Sequence, residues 1–96
     1  MIVVNFEKGI FNLTGNLTYH NVPQLLEMMQ NHNWSFPIKV DFTNVNDIDT
    51  SLLSVIFEIQ RQAKKNNTNV ALVNIPDNLK VLAKLYGVEE YLIQNN

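Results

Sequence analysis

Asn46-Asp47-Ile48-Asp49-Thr50-Ser51-Leu52-Leu53-Ser54-Val55-Ile56 is the stretch on which the reading of this chain turns. A β-branched and aromatic run, Ile38 to Phe42, leads toward it, and an amphipathic helical pattern leaves it. Between the two sit an acid and two hydroxyls, Asp49, Thr50 and Ser51. These residue types satisfy the free N–H groups of a first helical turn. They also stand where a partner or a kinase reads a helix start, since that end of the dipole favours negative charge.

Working outward, the helix after Ser51 carries Leu52, Val55, Ile56, Ile59 and Ala63 on one face, widened by Leu53 and Phe57. Arg61, Lys64 and Lys65 lie toward its end, where cations suit the dipole, and Asn66-Asn67 stops it. Val70 to Val73 has the apolar character of a buried strand. Asp77 is expected to cap a third helix with Leu79, Leu82, Ala83 and Tyr86 on one stripe and Gly87 after its end. The tail from Val88 to Ile93 adds one further helical turn.

Toward the N-terminus, Ile2 to Phe6 reads as a strand, Lys8-Gly9 as a turn and Ile10 to Leu13 as the returning strand, ended by Gly15-Asn16. Asn21 is placed to cap a first helix, with Pro23 in the first turn and Val22, Leu25, Leu26 and Met29 on one face. A polar break, Asn31 to Ser35, holds the sole tryptophan, Trp34, which either plugs the sheet end or forms a contact. The order is β-β-α-β-α-β-α. It implies an α/β fold: a small mixed sheet with an N-terminal antiparallel hairpin and helices packed on it.

Ninety-six residues allow one core, so residues 1–96 are read as one domain. A net charge of -2 argues against nucleic acid and against a polybasic membrane binder. The chain has no cysteine, which removes thiolate catalysis, disulfides and Cys-based zinc sites. No signal-peptide layout or membrane-length apolar run is visible, so a cytoplasmic location is expected. His20 and His32 lack partners at metal-ligand spacing. The string Asp41, Asp47, Asp49 lacks the glycine and final acid of a calcium loop. No phosphate-cradling glycine loop is present. The expectation is no enzyme, no cofactor, no metal and no catalytic residue.

The pattern Asp49-Thr50-Ser51-Leu52-Leu53 resembles the STAS domain family, in which a strand leads to Asp-Ser/Thr, a small residue, Gly and Leu opening a helix. Leu52 stands where that family usually has Gly. Leu13-Thr14-Gly15-Asn16-Leu17 resembles the family's Leu-Ser-Gly-Glu-Leu. Leu82-Ala83-Lys84-Leu85-Tyr86 resembles the MlaB type within the family, as do Ala63-Lys64-Lys65, Asn66-Asn67 and Asn69-Val70.

The resemblance implies a non-catalytic subunit of a phospholipid ABC transporter that maintains outer-membrane lipid asymmetry. Its partner would be an MlaF-like ATPase, in complex with an MlaE-like permease and an MlaD-like lipid-binding protein. It would sit at the inner membrane only through that complex. Thr50 falls on the family's functional hydroxyl and is the expected contact residue, flanked by Asp49, Ser51 and Leu52. Leu52 either turns into the core or alters the contact. Ser51 has three readings: a first-turn residue, a contact, or the phosphoacceptor of an anti-sigma factor antagonist. On the third helix, Val81 and Leu85 form a second apolar strip beside Lys84. These three either extend the partner surface or are covered by the tail.

Overall fold

The computed structural model describes residues 2–34 and 37–92, with side chains described from Asn5 onward. Ser35 of the polar break and Ile93 of the expected tail turn lie outside these. The chain begins with β1 (Ile2–Glu7) and β2 (Ile10–Leu17), paired antiparallel with Glu7 opposite Ile10. The two-residue turn between them, Lys8-Gly9, has φ of 54° and 79°. Two successive left-handed residues make a type I′ turn, whose twist matches that of the strands it joins. After α1 (Val22–Gln30) comes β3 (Ile38–Ile48), then α2 (Leu52–Lys65), β4 (Val70–Val73) and α3 (Asp77–Leu85). A short 3₁₀ turn, Glu89–Leu92, closes the described chain. The sheet order is β1-β2-β3-β4, with β3 parallel to both neighbours.

The expected hairpin and element order are present, and two boundaries move. β2 does not end at Gly15-Asn16; it continues to Leu17, which is fully buried. β3 does not end at Phe42 but runs on to Ile48. The pairing explains both. Asn12 faces Asp41 while Thr14 faces Asn44, and Gly15 faces Val45 while Leu17 faces Ile48. Each time β2 advances two residues and β3 three, so β3 carries one extra residue at two points, the signature of a β-bulge. The inward positions of β3 are therefore Ile38, Val40 and Phe42, then Val45, then Ile48.

The core joins Phe11, Leu13 and Leu17 of β2, the first inward residues of β3, Leu25 and Met29 of α1, and the inner face of α2. Trp34 is the plug: it is buried, and its Nε1–H donates to the Met29 carbonyl at 2.7 Å. β4 is a sheet edge, and only Val70 in it is fully buried, so it is a half-covered strand. Two caps differ from expectation. Asn21 makes no cap bond; its Nδ2 donates to the Asn16 carbonyl at 2.7 Å and ties the helix entry to β2. Asp77 is the first helical residue, and Pro76 holds the capping position without a side-chain bond. At the other end α3 stops as expected. Gly87 has φ 69°, its N–H reaches the Lys84 carbonyl at 3.1 Å, and the Val88 N–H reaches Ala83 at 2.8 Å, completing a Schellman closure. Asn67 closes α2 in the same way, with φ 52° and Thr68 N–H bonded to Ala63 at 2.9 Å.

Candidate functional site at the start of the second helix

The bulged end of β3 delivers Asp49 to the junction with α2. Leu52, Leu53 and Ser54 donate their N–H groups to Asp49, Thr50 and Ser51, each three residues back, so the helix starts as a tight 3₁₀-like turn. The Ser51 hydroxyl makes no cap bond. The capping group is Asp49, whose Oδ1 accepts the Ser51 N–H at 2.9 Å and the Ser51 Oγ–H. Its other oxygen accepts the Tyr19 N–H at 3.0 Å. One carboxylate thus clamps the helix start to the β2–α1 loop, thirty residues away in sequence.

Burial pulls the Asp49 carboxyl upward. Hydrogen bonds from the Ser51 hydroxyl, the Tyr19 N–H and the Ser51 N–H, with the charge of nearby His20, together outweigh it and leave the pKa below its ordinary value. A lowered folded-state value means the clamp stabilises the fold above the ordinary carboxylate range and loses that effect as pH falls through the folded value. Asp49→Asn keeps one acceptor but loses the charge and the second oxygen, so it should lower stability at pH 7 by about 1 kcal/mol, roughly the difference between charge-assisted and neutral hydrogen bonds. The gap to the parent should begin to narrow below about pH 4 and close only as pH falls through the lowered folded value. Urea titrations at both pH values read this, and a gap independent of pH would show that the charge of Asp49 plays no part.

Of the site residues expected from sequence, Asp49, Thr50 and Val81 come together. With Ile48, Asn78 and Leu82 they line an open groove of about 470 Å³ between the β3–α2 junction and α3. Thr50 is exposed and Ser51 half-buried. Leu52 is fully buried, so its side chain offers no contact surface; it belongs to the core with Val55 and Ile56. Val81 and Leu85 are 65% and 73% exposed. The described tail does not cover them: it packs on α2, with Gln60 Nε2 donating to the Tyr91 carbonyl at 2.8 Å and Phe57 against Tyr91 at 5.0 Å between ring centroids. Tyr86, expected on the inner stripe, is 57% exposed, whereas Leu79 and Ala83 are fully buried. Lys84 is exposed beside the strip.

Sequence reasoning missed three neighbours of the site. Asn78 stands one helical turn before Val81 and Leu82, so the helix period contained it. Tyr19 and His20, stacked with ring centroids 4.1 Å apart, reach the site only through the Asp49 clamp, which leaves no local signal. The acidic string does not converge. Asp41 is occupied by Thr43 N–H and Oγ and by Asn74 Nδ2, with the hydroxyl bond holding its pKa down most strongly. Among the described residues no group of three or more His, Asp or Glu side chains is placed to hold a metal ion. No helix among them is long and apolar enough to cross a membrane.

A mixed four-stranded sheet whose third strand feeds an acid-capped helix start defines a small α/β domain of the STAS kind. Residues 3–94 match the family described as Mlab, STAS domain, and the chain belongs to this family. Its fold is similar to the anti-sigma factor antagonist SpoIIAA in its unphosphorylated form, with TM-score 0.72 at 14% identity, covering 100% of this chain and 89% of that one. It is also similar to part of a larger chain in a crystal structure of Mglu, with TM-score 0.61 at 16% identity, covering 76% of this chain and 19% of that one. At these identities the likeness is one of fold. No curated protein matches the sequence.

Proposed function

We propose that this chain is a non-catalytic subunit that docks on, and supports, the ATPase of an MlaFEDB-type phospholipid ABC transporter maintaining outer-membrane lipid asymmetry. The complex would include an MlaE-like permease and an MlaD-like lipid-binding protein. The chain would lie on the cytoplasmic side, held at the inner membrane through them. The observation that carries this reading is the groove. It joins the exposed Thr50 hydroxyl to the Val81 edge of an uncovered apolar strip on α3. Exposed apolar surface of this kind, rimmed by polar groups, is what an interaction face presents. The MlaB-type stretch Leu82-Ala83-Lys84-Leu85-Tyr86 runs through that same helix, with Ala83 inward and Leu85 and Tyr86 outward.

The second reading, an anti-sigma factor antagonist switched by phosphorylation of Ser51, meets a local obstacle. The Ser51 Oγ donates to the Asp49 carboxylate, so a phosphate there would displace that bond and add about 1.5–2 negative charges against Asp49. This supports a neutral hydroxyl at the helix start as the working state.

Isothermal titration of the chain into a purified transporter ATPase from the same genome tests the proposal. Saturable binding is expected. Thr50→Arg, which drives a long charged side chain into the groove wall, should weaken it at least about tenfold, the loss of roughly one well-packed contact. Absence of binding by the parent chain, or parent-like affinity in Thr50→Arg, would count against it. Transfer of phosphate to Ser51 by a cognate kinase, with capture of an anti-sigma factor, would favour the second reading.

A further inference from the structure

β1 stands at the edge of the sheet. In the order β1-β2-β3-β4 it pairs with β2 alone, and among the described residues no strand pairs with its outer side. Edge strands that stay single are normally blunted by proline, by lysine, by a bulge or by short length. β1 has none of these. Its residues, Ile2-Val3-Val4-Asn5-Phe6-Glu7, run against β2 in unbroken register from Ile2 opposite Gly15 to Glu7 opposite Ile10. Its single charged residue is Glu7, at the turn. The other edge, β4, is only 4 residues long.

The hairpin fixes which backbone groups are free. A two-residue turn is closed by a hydrogen-bonded pair, here Glu7 with Ile10, and such pairs alternate along an antiparallel ladder. Glu7, Asn5 and Val3 therefore bond to β2, while the N–H and C=O groups of Phe6, Val4 and Ile2 face outward. The far side of β2 agrees. The Lys39 N–H donates to the Gly9 carbonyl at 2.9 Å, with Ile10 opposite Lys39, a parallel pattern that leaves the Ile10 groups to β1. The register also places Val4 and Phe6 opposite Leu13 and Phe11, on the sheet face where the core lies. Phe6 is 42% exposed there, although it touches Phe11 and His32 at 4.7 and 4.4 Å between ring centroids. The apolar face of the sheet thus reaches its edge without a cover.

We propose that β1 pairs with β1 of a second copy of this chain, antiparallel and about a two-fold axis at Val4. Self-complementarity selects that occupant. An axis at Val4 sets Val4 opposite Val4 and Ile2 opposite Phe6, so every outward-facing residue meets another. These pairs exchange about six backbone hydrogen bonds. Phe6 of one copy stands opposite Ile2 of the other on the core face, and the sheet runs on from β4 of one copy to β4 of the other. An axis at Asn5 pairs only Val4 with Phe6 and leaves Ile2 outside the ladder. In-register parallel pairing would set Glu7 beside Glu7, whereas the antiparallel form puts the two at opposite ends. The contact is isologous and closes at two copies, since each uses the same edge. The groove lies between the end of β3 and α3, across the sheet from β1, so it stays open in the pair. The proposal does not depend on the ATPase reading.

Sedimentation equilibrium of the full chain should show a monomer–dimer equilibrium at micromolar and higher concentration, as suits a small interface. Val4→Pro removes an outward N–H at the centre of the pairing and no bond to β2. Its melting curve should stay near the parent's, while the dimer weakens at least about tenfold. The chain has no cysteine, so introduced thiols report the register. Val3 would stand opposite Asn5 of the second copy as a non-hydrogen-bonded pair, about 4.5 Å apart between Cα atoms and within disulfide reach. Mild oxidation of mixed Val3→Cys and Asn5→Cys chains should give the mixed disulfide ahead of either homodimer. This arm decides the matter should Val4→Pro fold poorly. A parent that stays monomeric overturns the proposal, and so do species that grow beyond the dimer. Statistical yields of the disulfides, or an excess of the Asn5→Cys homodimer, overturn the Val4 axis. A dimer that survives Val4→Pro but is lost in Leu85→Asp would place the contact on α3, and would also overturn it.

Discussion

Leu52→Gly is expected to cost about 3–6 kcal/mol of folding stability. Leu52 is fully buried where α2 meets the sheet, in one cluster with Leu17, Phe42 and Val55. Truncating a buried leucine costs roughly 2–5 kcal/mol through lost transfer energy and the cavity left behind. Glycine adds up to about 1 kcal/mol over alanine in a helix. A domain of this size has roughly 5–15 kcal/mol in total, so the variant should lose a large share of its stability. The substitution is informative because the STAS pattern that this junction resembles has glycine here. Where glycine lets another chain approach the helix start, this protein fills the space with its own core. Urea unfolding followed by circular dichroism reads the effect. A loss under about 1 kcal/mol would mean that the site collapses around the missing side chain, and that Leu52 is not a supporting member of the core.

The same residue shows where the sequence was legible. The helical period of Leu52, Val55, Ile56 and Ile59 places Leu52 inward, and the structure agrees; only the competing demand of a partner surface left it open. Lys8-Gly9 announced its turn through Gly9, which takes positive φ at no steric cost between two strand-like runs, whereas the left-handed Lys8 left no signal in its residue type. β3 was legible only through Phe42. Period-2 alternation assumes an unbroken pairing, and each bulge shifts the inward set by one residue. After two of them the inward residues stand three apart, at 42, 45 and 48, which matches neither a strand nor a helix pattern. That irregular segment aims Asp49, so the fold hid its strand where it builds its site. Caps failed for a related reason. Asn21 and Asp77 are good capping types, but the Asn21 side chain is held by its Nδ2 donating to the Asn16 carbonyl and makes no cap bond, and Pro76 precedes Asp77 with the extended backbone that a cap position requires. Tyr19 and His20 join the site through one long-range bond to Asp49, and residue spacing carries no trace of such a bond.

Leu85→Asp should lower affinity for the ATPase by about 3 kcal/mol, roughly a hundredfold, and leave the isolated domain folded. The two halves of this expectation come from separate observations. Folding should be spared because Leu85 is 73% exposed, and the inner face of α3 is held by Leu79 and Ala83 instead. The tail, which might have covered the strip, is fixed on α2 through Tyr91. Binding should suffer because a carboxylate in the centre of an apolar contact is stripped of water without a partner. Val81→Asp, one turn earlier at the groove edge, should act in the same direction. Lys8→Asp, at the far end of the sheet, carries the same acid without effect on binding. Melting curves and titration of the three variants separate the possibilities. A Leu85→Asp domain that no longer folds would make the strip core. A folded variant that binds like its parent would move the partner off α3, and leave the Asp49–Thr50 junction to bind alone.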